Sequence, residues 1–135
     1  QLRTQLPSLW TCWQLQMRRR VQQLFFKRYT PLQTVSSMTL ARLLPSRLRT
    51  FKLEAGQTLR QQVVPYEGYF WVRTGTLMVP TAPVCRWTVG SGGSDRDPKL
   101  KNAVAQVSSL IYQLTFQPWE TAEISQILEK LDLAH

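Results

Sequence analysis

Apolar residues recur at helical spacing over residues 8–29. Leu9, Trp13, Met17, Val21, Leu24, Phe25 and Tyr29 share one face, Trp10 lies in the same arc, and Gln16, Arg19, Gln22 and Gln23 fall opposite. Pro7-Ser8 supplies a start with Ser8 as N-cap, and Thr30-Pro31 a stop, because proline disfavours helical geometry in the residue before it. A shorter helix is expected over 37–44, capped by Ser36 or Ser37, with Leu40, Leu43 and Leu44 on its apolar side and Pro45 as its end.

The pattern then turns to strands. Phe51 and Leu53 alternate with Thr50, Lys52 and Glu54, and Thr58–Val64 is a second short run. Tyr69-Phe70-Trp71-Val72 and Thr76-Leu77-Met78-Val79 flank Arg73-Thr74-Gly75, which predicts a hairpin. The continuous apolar run Tyr69–Val72 reads as a buried strand, and Val84–Val89 as an edge strand behind Pro80 and Pro83.

Beyond Gly90-Ser91-Gly92-Gly93-Ser94 the spacing is helical again. Leu100, Val104, Val107, Ile111 and Leu114 follow a 4-3-4-3 step, and Ile124, Ile127, Leu128 and Leu131 form a second stripe after Pro118. Together they predict a helical hairpin, with Trp119 as a partner anchor or as a staple for the second helix. The expected fold class is α+β: N-terminal amphipathic helices, a small antiparallel sheet of about four strands, and the C-terminal hairpin docked on it.

Charge divides the chain at the Gly/Ser tract. The chain carries 17 Lys/Arg against 8 Asp/Glu, a formal net charge of +9. Residues 1–89 hold 13 of the bases and 2 of the acids, whereas residues 95–135 lean acidic. The tract itself reads as flexible coil joining two pieces, of engineered or natural origin: a basic helix-plus-sheet domain, 1–89, and a helical segment, 95–135. Opening on Gln1, the chain reads as part of a longer protein, and its first residues lack the basic start and apolar run of a signal peptide. No window is long and apolar enough for a membrane span. Cys12 and Cys85 are expected as reduced thiols, which with the basic charge suggests an intracellular, even nuclear, setting.

Catalytic chemistry is poorly supplied. The single histidine is the terminal His135, the basic piece holds only Glu54 and Glu67 as acids, and no Cys/His spacing suits a metal. The Gly-rich tract lacks the Gly-Lys-Ser/Thr ending of a phosphate loop. The chain is therefore expected not to be an enzyme and to need no cofactor.

The leading expectation is a protein-interaction module, an adaptor or scaffold in which a helical segment lies in a groove. Its contact residues would be Leu100, Val104, Val107, Ile111, Leu114, Trp119, Ile124, Ile127, Leu128 and Leu131. The alternative is nucleic-acid binding within a larger nucleoprotein assembly, through Arg18, Arg19, Arg20, Lys27, Arg28, Arg47, Arg49 and Lys52. On a helix the three consecutive arginines fan over about 200°, so they cannot all face one ligand. A basic amphipathic helix also suits an anionic membrane surface, although the adjoining strands argue for a globular setting.

Residues 40–79 carry a further pattern. A leucine-rich stretch, Leu40-Ala41-Arg42-Leu43-Leu44, precedes Phe51-Lys52-Leu53-Glu54-Ala55-Gly56-Gln57-Thr58-Leu59; the apolar quartet Tyr69–Val72, two spacers and Gly75 follow. This resembles the opening of a cyclic nucleotide-binding β-roll. The family's nucleotide pocket draws on a Gly-Glu pair and an arginine in a short helix-containing cassette, and residues 80–95 offer nothing of that kind. The resemblance implies a degenerate, roll-like regulatory domain that does not bind cyclic nucleotides, and no site residue is carried over.

Overall fold

A computed structural model describes residues 8–62, 67–94 and 98–116. Helix α1 (Leu9–Tyr29) starts where Ser8 Oγ accepts the Thr11 amide at 3.1 Å. It stops at Thr30, which is extended, as a residue before proline should be. The buried Thr30 hydroxyl donates back to the Phe26 carbonyl and accepts the Leu32 amide at 3.2 Å, so one side chain closes α1 and opens the 3-10 turn Pro31–Thr34. Helix α2 (Ser37–Arg47) is capped by Ser36. It runs past Pro45, the expected stop, because the Leu48 amide still bonds the Leu44 carbonyl and closes the last turn.

Two antiparallel sheets follow. The first has the order β1-β7-β2-β5, from Leu48–Leu53, Ser109–Phe116, Glu67–Thr74 and Gly92–Ser94. The second has the order β4-β3-β6, from Cys85–Trp87, Leu77–Val79 and Val104–Ala105. The molecule is α+β, as the sequence predicts, with more strands than expected.

Three local expectations are corrected. Residues 100–114 are not helical: Leu100–Asn102 is a single 3-10 turn, and Ser109–Phe116 is the central strand β7, paired with both β1 and β2. Both faces of β7 are covered, so its apolar residues do not alternate, and their spacing imitates a helix. The run Thr58–Val64 holds a 3-10 turn at Leu59–Gln62. The strands either side of Gly75 are not a hairpin, because β2 is already flanked by β7 and β5; the chain instead turns at Gly75 (φ +97°) and enters the other sheet. The second limb of the expected hairpin, Ile124–Leu131, lies outside the described residues, as does Trp119.

The Gly/Ser tract is a turn and a strand, not coil. Gly92 faces Trp71 and Gly93 faces Trp87, and a Cβ on them would lie 2.2 Å from Trp71 Cδ1 and 2.8 Å from Trp87 Cη2. Two indoles thus occupy the space that side chains would need. The first sheet therefore pairs strands drawn from both sides of the tract.

β2 explains the shape of the core. Its successive residues point to opposite faces. Tyr69 and Trp71 join Phe25, Phe26, Leu32, Val35, Leu40, Leu43, Leu44, Tyr112 and Leu114 beneath the helices. Phe70 and Val72 join Leu53, Leu59, Leu77, Val79, Leu100, Ala103, Ala105 and Ile111 inside the roll. Each large side chain so buried contributes about 1.5–3 kcal/mol. That both faces are apolar is why Tyr69–Val72 is unbroken in sequence.

Candidate interaction surface

Helix α1 is held to the body by its C-terminal third. Phe26 meets Trp71 edge-on at 5.2 Å and stacks on Tyr112 at 5.8 Å, while Phe25 meets Tyr112 edge-on at 5.0 Å. The Arg73 guanidinium covers the Phe25 ring at 5.7 Å. Phe25 and Phe26 are the buried residues of the whole helix.

The docked edge is thus rotated away from the stripe read in the sequence. Phe26, outside that stripe, is buried, whereas most of the stripe faces outward. Leu9 is 90% exposed, Trp10 63%, Trp13 51% and Leu24 58%. Met17 and Val21 are exposed too, and Trp10 and Trp13 stack at 5.1 Å between centroids. Trp10, Trp13, Met17, Val21 and Leu24 fall within about 80° of helix surface, a continuous apolar ridge. Full burial of a side chain of this size from an exposed start is worth about 1.5–3 kcal/mol; Trp13, Met17 and Val21 are already about half covered, so each offers a partner part of that.

The basic residues proposed for nucleic acid do not converge. Arg19, Arg20 and Lys27 line one cleft beside α1. Arg28 lies over the Tyr29 ring at 5.2 Å and borders a second cleft with Arg73. On β1, Arg49 donates to Gln113 Oε1 at 2.7 Å and sits over Phe51, and Lys52 pairs with Glu54 at 3.2 Å. Arg47 ends α2, and Arg18 is exposed on α1, well round the helix from Arg20. The proposed partner-binding residues separate as well. Leu100, Ile111 and Leu114 are core residues beyond a partner's reach, Val104 and Val107 remain on the surface, and Trp119, Ile124, Ile127, Leu128 and Leu131 lie outside the described residues.

Cys12 and Cys85 are free thiols, and no cluster of three His, Cys, Asp or Glu lies among the described residues. No described helix is long and apolar enough to cross a membrane. Residues 80–94 hold two three-residue strands and a turn, with no helix among them. Sequence reading missed the ridge as a surface. Its one available signal was that α1, 21 residues long, has far more apolar positions than the two short strand faces beneath it can cover.

No protein-family model matches the chain, and no curated protein matches it by sequence. Solved structures do. The regulatory domain of Toxoplasma gondii protein kinase A, crystallised with cAMP, superposes with a TM-score of 0.60 at 15% identity, covering 89% of this chain and 51% of that one. The sensor domain of the transcriptional regulator DNR from Pseudomonas aeruginosa gives 0.57 at 17% identity, over 86% of this chain and 83% of that one. The regulatory subunit of a cAMP-independent protein kinase A from Trypanosoma brucei gives 0.53 at 15% identity, over 73% of this chain and 39% of that one. The chain thus spans about two fifths to a half of the two kinase regulatory chains. At these identities the likeness is one of fold: the chain is similar to a cyclic nucleotide-binding β-roll, in keeping with the resemblance of residues 40–79.

Proposed function

We propose that this chain is a non-enzymatic regulatory module, a degenerate roll that has lost nucleotide recognition and acts by protein contact through α1. The observation that carries the reading is the ridge of Trp10, Trp13, Met17, Val21 and Leu24, exposed on a helix whose buried residues, Phe25 and Phe26, lie near its C-terminal end. Exposed apolar patches of this kind mark interaction sites, and stacked tryptophans are favoured anchors at interface centres.

Two further facts support it. The roll interior is filled by Leu53, Phe70, Val72, Leu77, Leu100 and Ile111, and the described residues 80–94 hold no helix of the kind the family's nucleotide cassette contains. A roll of this kind also serves in a regulatory subunit described as cAMP-independent. The favoured partner is acidic, since α1 carries Arg18, Arg19, Arg20, Lys27 and Arg28 and no acid.

The test has two arms. Calorimetric titration with cAMP and cGMP should give no saturable heat; a saturating isotherm at one nucleotide per chain would sink the degenerate-roll reading. Proximity labelling in cells should yield partners that the W10A/W13A/M17A variant loses while a variant at exposed Val84 keeps them. Identical partner sets would remove α1 as the contact surface.

A further inference from the structure

Beside the apolar ridge, Gln16, Arg20, Gln23 and Lys27 recur at 4-3-4 spacing on α1, within about 60° of helix surface. Arg19 borders this stripe on one side and Leu24 on the other. The stripe forms one wall of a cleft of about 420 Å³, and Ser37, the first residue of α2, closes the opposite wall. The lining is rich in donors: two guanidiniums, an ammonium, two carboxamides and a hydroxyl. Among the described residues it holds no carboxylate, and residues 1–53 contain ten Lys/Arg with neither Asp nor Glu. Among the described residues, none of Arg19, Arg20 and Lys27 has an ion-pair partner.

Three cations gathered round one concavity with no counter-charge among the described residues repel one another, and an anion relieves that repulsion. Arg20 and Lys27 are about 10 Å apart along the helix axis, so the cations bracket the cleft from two ends. A lone carboxylate engages one end only. A ligand with two or more phosphates on a compact polyol reaches both, with guanidinium forks taking phosphate oxygens in pairs and the carboxamides meeting ring hydroxyls. We propose that this cleft binds a multiply phosphorylated small molecule, either free or displayed as a lipid headgroup. The site is separate from the roll interior and does not depend on the regulatory reading above. Nucleic acid fits less well, because the remaining basic residues lie elsewhere on the molecule and give no continuous track for a phosphate backbone.

The test is calorimetric titration of the whole chain with inositol trisphosphate and with inorganic pyrophosphate, at about 0.15 M salt to screen diffuse attraction. Saturable binding of either at one per chain is expected. The R19Q/R20Q/K27Q variant should weaken it by roughly tenfold or more, while R18Q/R86Q/K101Q, which removes equal charge elsewhere, should not. Co-sedimentation with phosphatidylcholine vesicles, with and without phosphatidylinositol bisphosphate, separates the sources: capture only by the phosphorylated vesicles assigns a lipid headgroup, and no capture with saturable soluble binding assigns a free ligand. Equal weakening by both triple variants would overturn the proposal, leaving only generic charge attraction. So would the absence of saturable binding to any probe, or displacement by single-stranded DNA at equal phosphate concentration.

Discussion

Gly75 is where one residue decides the path of the chain. A Cβ there would lie 2.2 Å from Ser109 Oγ. That oxygen cannot give way cheaply, since it accepts the Thr76 amide at 3.1 Å and donates to the Val107 carbonyl at 2.8 Å. Gly75→Ala therefore combines left-handed backbone strain with a clash, and we expect a loss of about 2–4 kcal/mol in urea unfolding. Gly92→Ala should also destabilise, by about 1–3 kcal/mol, because the Trp71 indole fills its Cβ position. An unchanged midpoint for Gly92→Ala would return the tract to being a passive join.

At the scale of elements, α1 divides into an anchored end and a free remainder. W10A/W13A should leave the stability of the isolated chain within about 0.5 kcal/mol, since neither ring is buried. Phe26→Ala should cost about 3–5 kcal/mol, because it empties the space between Trp71 and Tyr112. Thermal unfolding of the two variants side by side checks both. The same contrast shows what was legible in the sequence. Caps, the Thr30-Pro31 stop and the alternation in β1 rest on local chemistry, and the sequence shows them at Ser8, Ser36, Thr30 and Phe51–Leu53, whereas the stop expected at Pro45 is overridden by the Leu48–Leu44 bond. What decides between helix and strand at Ile111–Leu114 is not local: it is the two flanking strands, Leu48–Leu53 and Glu67–Thr74, brought in from 37 or more residues away. The sequence places Gln16, Arg19 and Gln23 on the polar side of α1, but the cleft needs Ser37 folded back beside them after the Thr30 joint.

At the scale of the molecule, β2 and β7 belong to both cores: Trp71 and Tyr112 face the helices, and Val72 and Ile111 face the roll. Damage to either core should therefore lower one shared transition. Phe26→Ala and Leu77→Ala are each expected to shift far-ultraviolet dichroism and tryptophan fluorescence to a common lower midpoint, whereas separated midpoints would show two units unfolding independently. The central place of β7 also has a consequence for how the protein is made. Ser109–Phe116 is the last strand described, yet it lies between the two strands that leave the ribosome earlier, β1 and β2. Until it emerges, both of those strands have an unpaired edge and neither core is complete. At about 5–20 residues per second, the nascent chain spends several seconds in that state. Folding must therefore wait for synthesis to pass residue 116, and a ribosome stalled before Ser109 carries an aggregation-prone client for chaperones, not a smaller version of the protein.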